Sequence, residues 1–246
     1  MPEGFVMAQP EFDEFSQNYE TLLEDSIAIG GEESSYYLRY KIGDVAKHYP
    51  PDQQSSAGSL EILDFGAGTG NAIPFWHEFL PSGRLTCLDV SSQSLKVAAK
   101  RHPDLANFIA YTPPTLPIDD DRFDLAYAAC VFHHIAPEDR IVVLKELWRI
   151  LKPGGQLFIY EHNPHNPLTQ RVVRSCPFDK NAKLIRAKDL SLLLNSLGFQ
   201  QTTIRYRVFF PRCLRILRPF EELLTWLPLG AQYYTTSVKA TSDNSG

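Results

Sequence analysis

Glu61-Ile62-Leu63-Asp64-Phe65-Gly66-Ala67-Gly68-Thr69-Gly70 is the stretch that decides the fold. A short apolar run closes on an acid, and glycines then alternate with single residues. An apolar run followed by a glycine-rich turn reads as a buried strand feeding a helix. Without Cβ atoms the backbone can turn tightly, and a ligand can approach it closely. A second apolar run, Arg84-Leu85-Thr86-Cys87-Leu88-Asp89, also ends in an acid. An acid closing the second strand of an α/β unit can take both hydroxyls of a ribose. A cap for the helix starting near Ser91 is the competing role for Asp89, since aspartate caps well.

Glycine spacing separates ligand classes. Dinucleotide sites use Gly-x-Gly-x-x-Gly, with a helix N-terminus facing a pyrophosphate. Here the pattern is Gly-x-Gly-x-Gly, and Asp64 stands just before it. A carboxylate there would repel a phosphate but suits an ammonium group.

Further segments point the same way. Leu116-Pro117-Ile118 leads to Phe123-Asp124-Leu125 and then to Val131-Phe132-His133-His134-Ile135, and Leu151-Lys152-Pro153-Gly154-Gly155 follows. Taken in this order, the motifs resemble those of the class I S-adenosylmethionine (SAM) methyltransferases, over roughly residues 58 to 162. The resemblance implies an α/β fold: a doubly wound, seven-stranded, mostly parallel sheet with helices on both faces and the last strand antiparallel. It also implies SAM as cofactor. Asp64, Gly66, Ala67, Gly68 and Gly70 would then flank its amino-acid part, and Asp89 and Val90 its ribose. Ala129 and Cys130 at the end of strand 4, and Tyr19 from the N-terminal segment, complete the expected cofactor set. Many relatives carry an aspartate for the adenine amino group four residues before the Leu-Pro pair. This chain has Thr112 there, a weaker acceptor.

Periodicity fills in the rest. Residues 1–57 form an N-terminal cap of two helices, one around Phe12 to Leu23 and one around Tyr36 to Tyr40, before a polar linker. The methyltransferase-like domain spans 58–240. Helices are expected at 72–79, 91–101, 137–151 and 188–197, the last stopped by Gly198. Strands are expected at 107–111, 123–128, 156–160, 199–209 and 232–239. Residues 162–186 would form a lid, and 211–228 a helical insertion with Arg212, Arg215 and Arg218 beside leucines and Trp226.

Composition narrows the function. The 246 residues carry a net charge of −5, which gives no nucleic-acid footprint. No Asn-Pro-Pro-Tyr-type motif follows strand 4, which argues against amino methylation of bases. The four cysteines are scattered with no Cys-x-x-Cys pattern and read as reduced thiols of a cytoplasmic protein. There is no secretory signal pattern and no 18-residue apolar stretch.

His162, Glu161 and His133 are the candidate catalytic residues. Glu161 to Leu168 reads as a proline-stiffened polar loop able to hold an acceptor. His133 could act as a general base, because histidine titrates near neutrality. A metal held by Glu161, His162 and His165 is disfavoured, since no second ligand cluster supports it. Arg171 and Arg174 share a helical face and could take an anion. The expected reaction is transfer of the sulfonium methyl to a small-molecule or lipid- or glycan-linked acceptor. A SAM-binding protein that runs a different reaction, such as a cyclisation, is the alternative. The basic, apolar 211–228 stretch offers peripheral membrane contact as one option, and packing on its own domain or a partner as another. Oligomeric state is not legible.

Overall fold

A computed structural model describes residues 33–50, 59–176 and 179–241. Tyr19, the first expected helix and most of the linker lie outside them.

Helix α1 (Ser34–Ala46) precedes strand β1 (Glu61–Phe65). Then come α2 (Ile73–Phe79), β2 (Arg84–Asp89), α3 (Ser92–Arg101), β3 (Asn107–Ala110) and β4 (Phe123–Ala129). A short 3-10 turn at Phe132–His134 leads to α4 (Arg140–Ile150) and β5 (Leu151–His162). The chain continues through α5 (Pro167–Ser175), α6 (Ala187–Ser196) and β6 (Phe199–Arg207). A 3-10 stretch (Arg212–Phe220), α7 (Glu221–Leu224) and β7 (Gln232–Lys239) complete it.

The strands form one sheet in the order β3-β2-β1-β4-β5-β7-β6, and only β7 runs antiparallel to its neighbours. β1 is buried at every position, as a central parallel strand covered on both faces must be. Its side chains alternate between two cores. Leu63 and Phe65 join Ala126, Ala128, Leu144 and Leu190 on the α4 and α6 side. Ile62 joins Cys87, Tyr127, Ile42 and Trp76 on the α1 and α2 side. The α1 cap is tied down by charge as well. Arg207 Nε of β6 donates to Asp44 Oδ2 at 2.7 Å, with both groups buried, and Lys47 Nζ donates to Glu222 Oε1 at 2.6 Å.

Several boundaries move for physical reasons. The helix expected at Pro137 begins at Arg140, after a turn in which the Asp139 amide donates to the Ala136 carbonyl. β5 starts at Leu151 rather than Gln156. Phe123 pairs with Leu151 and Leu125 with Gln156, so residues 152–155 bulge out of the ladder. β5 also runs on through Glu161 and His162, which pair with Tyr233 and Gln232. Those two residues are therefore strand residues, and the polar loop starts at Asn163. The 211–228 insertion is a 3-10 path over Arg212–Phe220, kinked at Leu214, followed by α7.

Candidate active site

The glycine loop is pinned from behind. The Gly66 and Ala67 amides donate to the Leu88 carbonyl, and the Gly68 amide donates to Asp89 Oδ2 at 2.8 Å. A Cβ on Gly66 would stand 2.4 Å from Val131 Cγ2, so only glycine lets the loop pass the end of β4. Gly68 has φ +53°, and a Cβ built there meets nothing within 4 Å, because the residue opens on a cavity of about 350 Å³. This cavity lies beyond the C-terminal ends of β1, β2, β4 and β5, where open α/β sheets take ligands.

Asp89 is placed for both roles the sequence suggests. Its Oδ1 accepts the Ser91 amide at 2.8 Å, its Oδ2 accepts Gly68, and it still lines the cavity. Ser91 caps α3 by accepting the Ser94 amide. Asp64 also lines the cavity. Burial pushes its carboxyl up to about 7, opposed by a hydrogen bond from Trp76 Nε1 at 3.1 Å and assisted by the charge of Asp89. Thr69 Oγ1 and Tyr127 OH, also at the cavity, are buried with no hydrogen-bond partner among the described residues. Orphaned polar atoms in a groove are handles for a ligand.

Ala129, Cys130 and Val131, at and just past the end of β4, also line the cavity. Cys130 is in the left-handed region at φ +59°, which turns its thiol towards Lys41 of α1, with Nζ to Sγ 3.4 Å. Burial alone would raise this thiol; Lys41 and then His162 outweigh it and bring it to about 6. A buried lysine and a cysteine thiol are thus paired beside His162, at the mouth of β5.

His133 is packed at 1% exposure. Its Nδ1 lies 2.6 Å from Glu161 Oε2, and its Nε2 lies 3.3 Å from Asp179 Oδ1. Burial on its own would lower its pKa, but Glu161 and Asp179 hold it well above the ordinary value. His133 is thus held between two carboxylates at the edge of the cavity. His134 is pushed down to about 4 by burial and by the His133 charge.

Other expected residues fall elsewhere. Glu161 is fully buried behind His133 and accepts the Phe132 amide at 2.8 Å, so it braces the site without lining the cavity. Gly70 is buried where a Cβ would meet Ala98 and Ile73 at 2.8 Å; it seats α3 and does not border the cavity. Thr112 is exposed, and its neighbour Tyr111 lines the cavity instead. Arg171 and Arg174 are exposed, while Thr169 and Val172 of the same helix face inward. No sequence pattern signals Lys41 or Asp179. Each is one charge on an otherwise ordinary helix or loop until the chain folds.

Comparison with known proteins agrees with this geometry. Residues 63–159 match a family model described as a methyltransferase domain. A ubiquinone/menaquinone biosynthesis C-methyltransferase of Hahella chejuensis is 25% identical over 155 residues, covering 60% of this chain and 61% of that protein. An uncharacterized methyltransferase-like protein of Schizosaccharomyces pombe is 30% identical over 168 residues, covering 67% and 61%. The chain therefore spans about three-fifths of the length of these curated relatives. A SAM-dependent methyltransferase structure from Thermotoga maritima superposes with a TM-score of 0.64 at 20% identity, covering 94% of this chain and 98% of that one. The motif order, the sheet order and the methyltransferase domain matched over residues 63–159 agree in supporting the class I SAM-dependent methyltransferase family.

Proposed function

We propose that the protein transfers the methyl group of SAM to a small-molecule acceptor held between the glycine loop and the end of β5. The carrying observation is the juxtaposition, in one cavity, of Asp64, the open Gly68 and Asp89 with Cys130 and His162. SAM supplies an electrophilic methyl on a sulfonium. Asp64 suits its ammonium group and Asp89 its ribose hydroxyls, and Thr69 and Tyr127 offer unsatisfied hydroxyls. The chain's remaining task is alignment and water exclusion, which convert a bimolecular step into a local one.

The acceptor side is mainly apolar, with Val131, Leu168, Val172 and Phe209 around the His134 and His162 imidazoles. That lining suits a ring with one polar edge. Together with the Hahella relative, it favours a quinol- or phenol-type acceptor over a polyol or an amine. Release of S-adenosylhomocysteine should be stimulated by a hydroxylated naphthalene or benzene ring. Stimulation by amines alone would sink that assignment, and SAM binding with no release to any acceptor would favour the non-transfer alternative.

Affinity for SAM should follow the ionisation of Asp64. Above pH 7 the carboxylate is already formed; below it, a cation must expel a proton to bind. The dissociation constant should rise as pH falls from 8 to 5.5, by up to about tenfold per unit below pH 7. Asp64→Asn should flatten this profile. Calorimetry showing the same pH dependence in parent and variant would detach Asp64 from the ligand's ammonium.

A lipid-linked acceptor gains support from the 211–228 insertion, which adjoins cavity residues Phe209 and Pro211. Ile216, Leu223 and Trp226 there are 81%, 70% and 69% exposed. Among the described residues no helix is long and apolar enough to cross a membrane, so contact would be peripheral. The protein should float with anionic phosphatidylglycerol vesicles, and Ile216→Asp combined with Trp226→Asp should abolish flotation. Equal behaviour of parent and variant would remove the membrane role.

A further inference from the structure

The turn after β4 and the segment after α5 bring together three donors that methyl transfer by alignment does not require. We propose that His133, His134 and Asp179 form a site for one divalent transition-metal ion in the wall of the cavity, with Glu161 as the carboxylate that orients His133. The donor atoms lie within 4.8 Å of one another. His133 Nε2 and His134 Nε2 are 3.3 and 3.5 Å from the same Asp179 Oδ1. Donors about 2.0–2.2 Å from a tetrahedral zinc ion stand about 3.3–3.6 Å from each other, so both imidazole–carboxylate spacings already fit the shell, and the two imidazole nitrogens would close to the same spacing on binding.

The surroundings resemble those of a metal-binding imidazole more than those of an isolated ion pair. A ligating histidine gives its other ring N–H to a carboxylate, which fixes the tautomer and the ring plane. Glu161 Oε2 sits 2.6 Å from His133 Nδ1, and Oε1 is held by the Phe132 amide at 2.8 Å, so the orienting group is itself locked. His133 Nε2 is thereby aimed at Asp179. Arg140 Nε clamps the same turn by donating to the Phe132 and Ile135 carbonyls, each at 3.1 Å. Glu161 and Asp179 together offset the charge of a divalent ion. Two imidazoles with one carboxylate favour zinc, iron(II), cobalt(II) or manganese(II) over calcium or magnesium.

His133, His134 and Asp179 all border the cavity, so the positions they leave open face it. Three protein ligands with an open position characterise a reactive site, whereas a purely structural zinc site is closed by four. This deepens the methyltransferase reading and rests on it in one respect: the ion would hold an oxygen of the acceptor. A coordinated hydroxyl loses its proton to water more readily. Its oxygen then forms the new bond to the methyl carbon as the carbon–sulfur bond breaks, and the sulfur leaves with that electron pair as a neutral thioether. The set that sequence alone brings to mind, Glu161, His162 and His165, does not assemble. Folding selects different histidines, because Glu161 turns inward and His165 is exposed.

Untagged full-length protein, stripped with chelator, should be titrated with Zn²⁺ and with Co²⁺. One ion should bind per chain with a dissociation constant of about 10 µM or tighter, and Co²⁺ should give visible ligand-field bands. His134→Asn and Asp179→Asn should each weaken binding more than tenfold, and Glu161→Gln by about ten- to a hundredfold. His134 is the less buried histidine, so its variant keeps the test open if Glu161→Gln fails to fold. Catechol, used as an oxygen-donor probe, should shift the Co²⁺ bands. Absence of stoichiometric binding, or equal affinity in the His134 and Asp179 variants, overturns the site; unshifted bands overturn its open position. SAM calorimetry on the same samples separates the two readings. SAM binding without metal binding defeats only the metal site, and metal binding without SAM binding defeats the methyltransferase assignment.

Discussion

Gly68→Val should abolish SAM binding while leaving the protein folded. Gly68 sits at φ +53°, a region that costs an L-residue roughly 1–2 kcal/mol and a β-branched one more. Strain is the smaller part of the effect. No atom lies within 4 Å of a Cβ built there, so the core does not clash with the new side chain. The isopropyl group instead enters the cavity, where the ligand would run along the loop. Any backbone shift that relieves φ also stretches the 2.8 Å hydrogen bond from the Gly68 amide to Asp89, displacing the proposed ribose partner. We expect a loss of affinity of at least about a hundredfold, or roughly 2.7 kcal/mol, in calorimetry. The thermal midpoint should fall by only a few degrees. Near-parental SAM affinity in a folded Gly68→Val protein would mean that the loop does not lie against the ligand.

Asp44→Ala should be the most destabilising single change on the surface of α1 that faces the sheet. Asp44 and Arg207 are both buried, and the guanidinium contacts the carboxylate through two nitrogens. Removing one partner of a buried pair leaves the other charge desolvated, typically at a cost of about 3–5 kcal/mol. Arg207 keeps Glu222 at 2.9 Å, but that carboxylate is more than half exposed, so we expect the lower end, about 3 kcal/mol. For a chain of this size that corresponds to a fall of about 6–12 °C in the midpoint. Loosening α1 should also withdraw Lys41 from Cys130, so the thiol should titrate higher and alkylate more slowly at pH 7. Urea denaturation and iodoacetamide kinetics read the two effects separately. Unchanged stability would show that α1 is held by its apolar face alone, through Ile42 and Val45.

Local chemistry made part of this protein readable before folding. The strand-then-glycine pattern at 61–70 forces a tight turn after a buried strand whatever surrounds it. Asp89 closes its own strand just before Ser91, the serine that caps the following helix. Ordered motifs then narrowed the sheet topology, because right-handed crossovers leave few ways to arrange such units. Segment boundaries were less legible. Pro137 looks like a helix start by propensity, yet the Arg140 guanidinium fills the turn before it and the helix begins one turn later.

The cavity's chemistry was decided by tertiary structure, since it depends on groups distant in sequence. Strand pairing with β7 carried Glu161 and His162 past the expected loop. Alternation along the strand then sent Glu161 inward to His133 and left His162 at the cavity. Lys41 reaches Cys130 from α1, a helix packed through Ile42 and Val45 and tied to β6 by the Asp44–Arg207 pair. Asp179 meets the two histidines only where the segment after α5 folds over the end of β4. Sequence set the scaffold and the cofactor loop through short-range sterics and strand–helix alternation. The charges and donors around the acceptor were set by packing between elements, which no local pattern encodes.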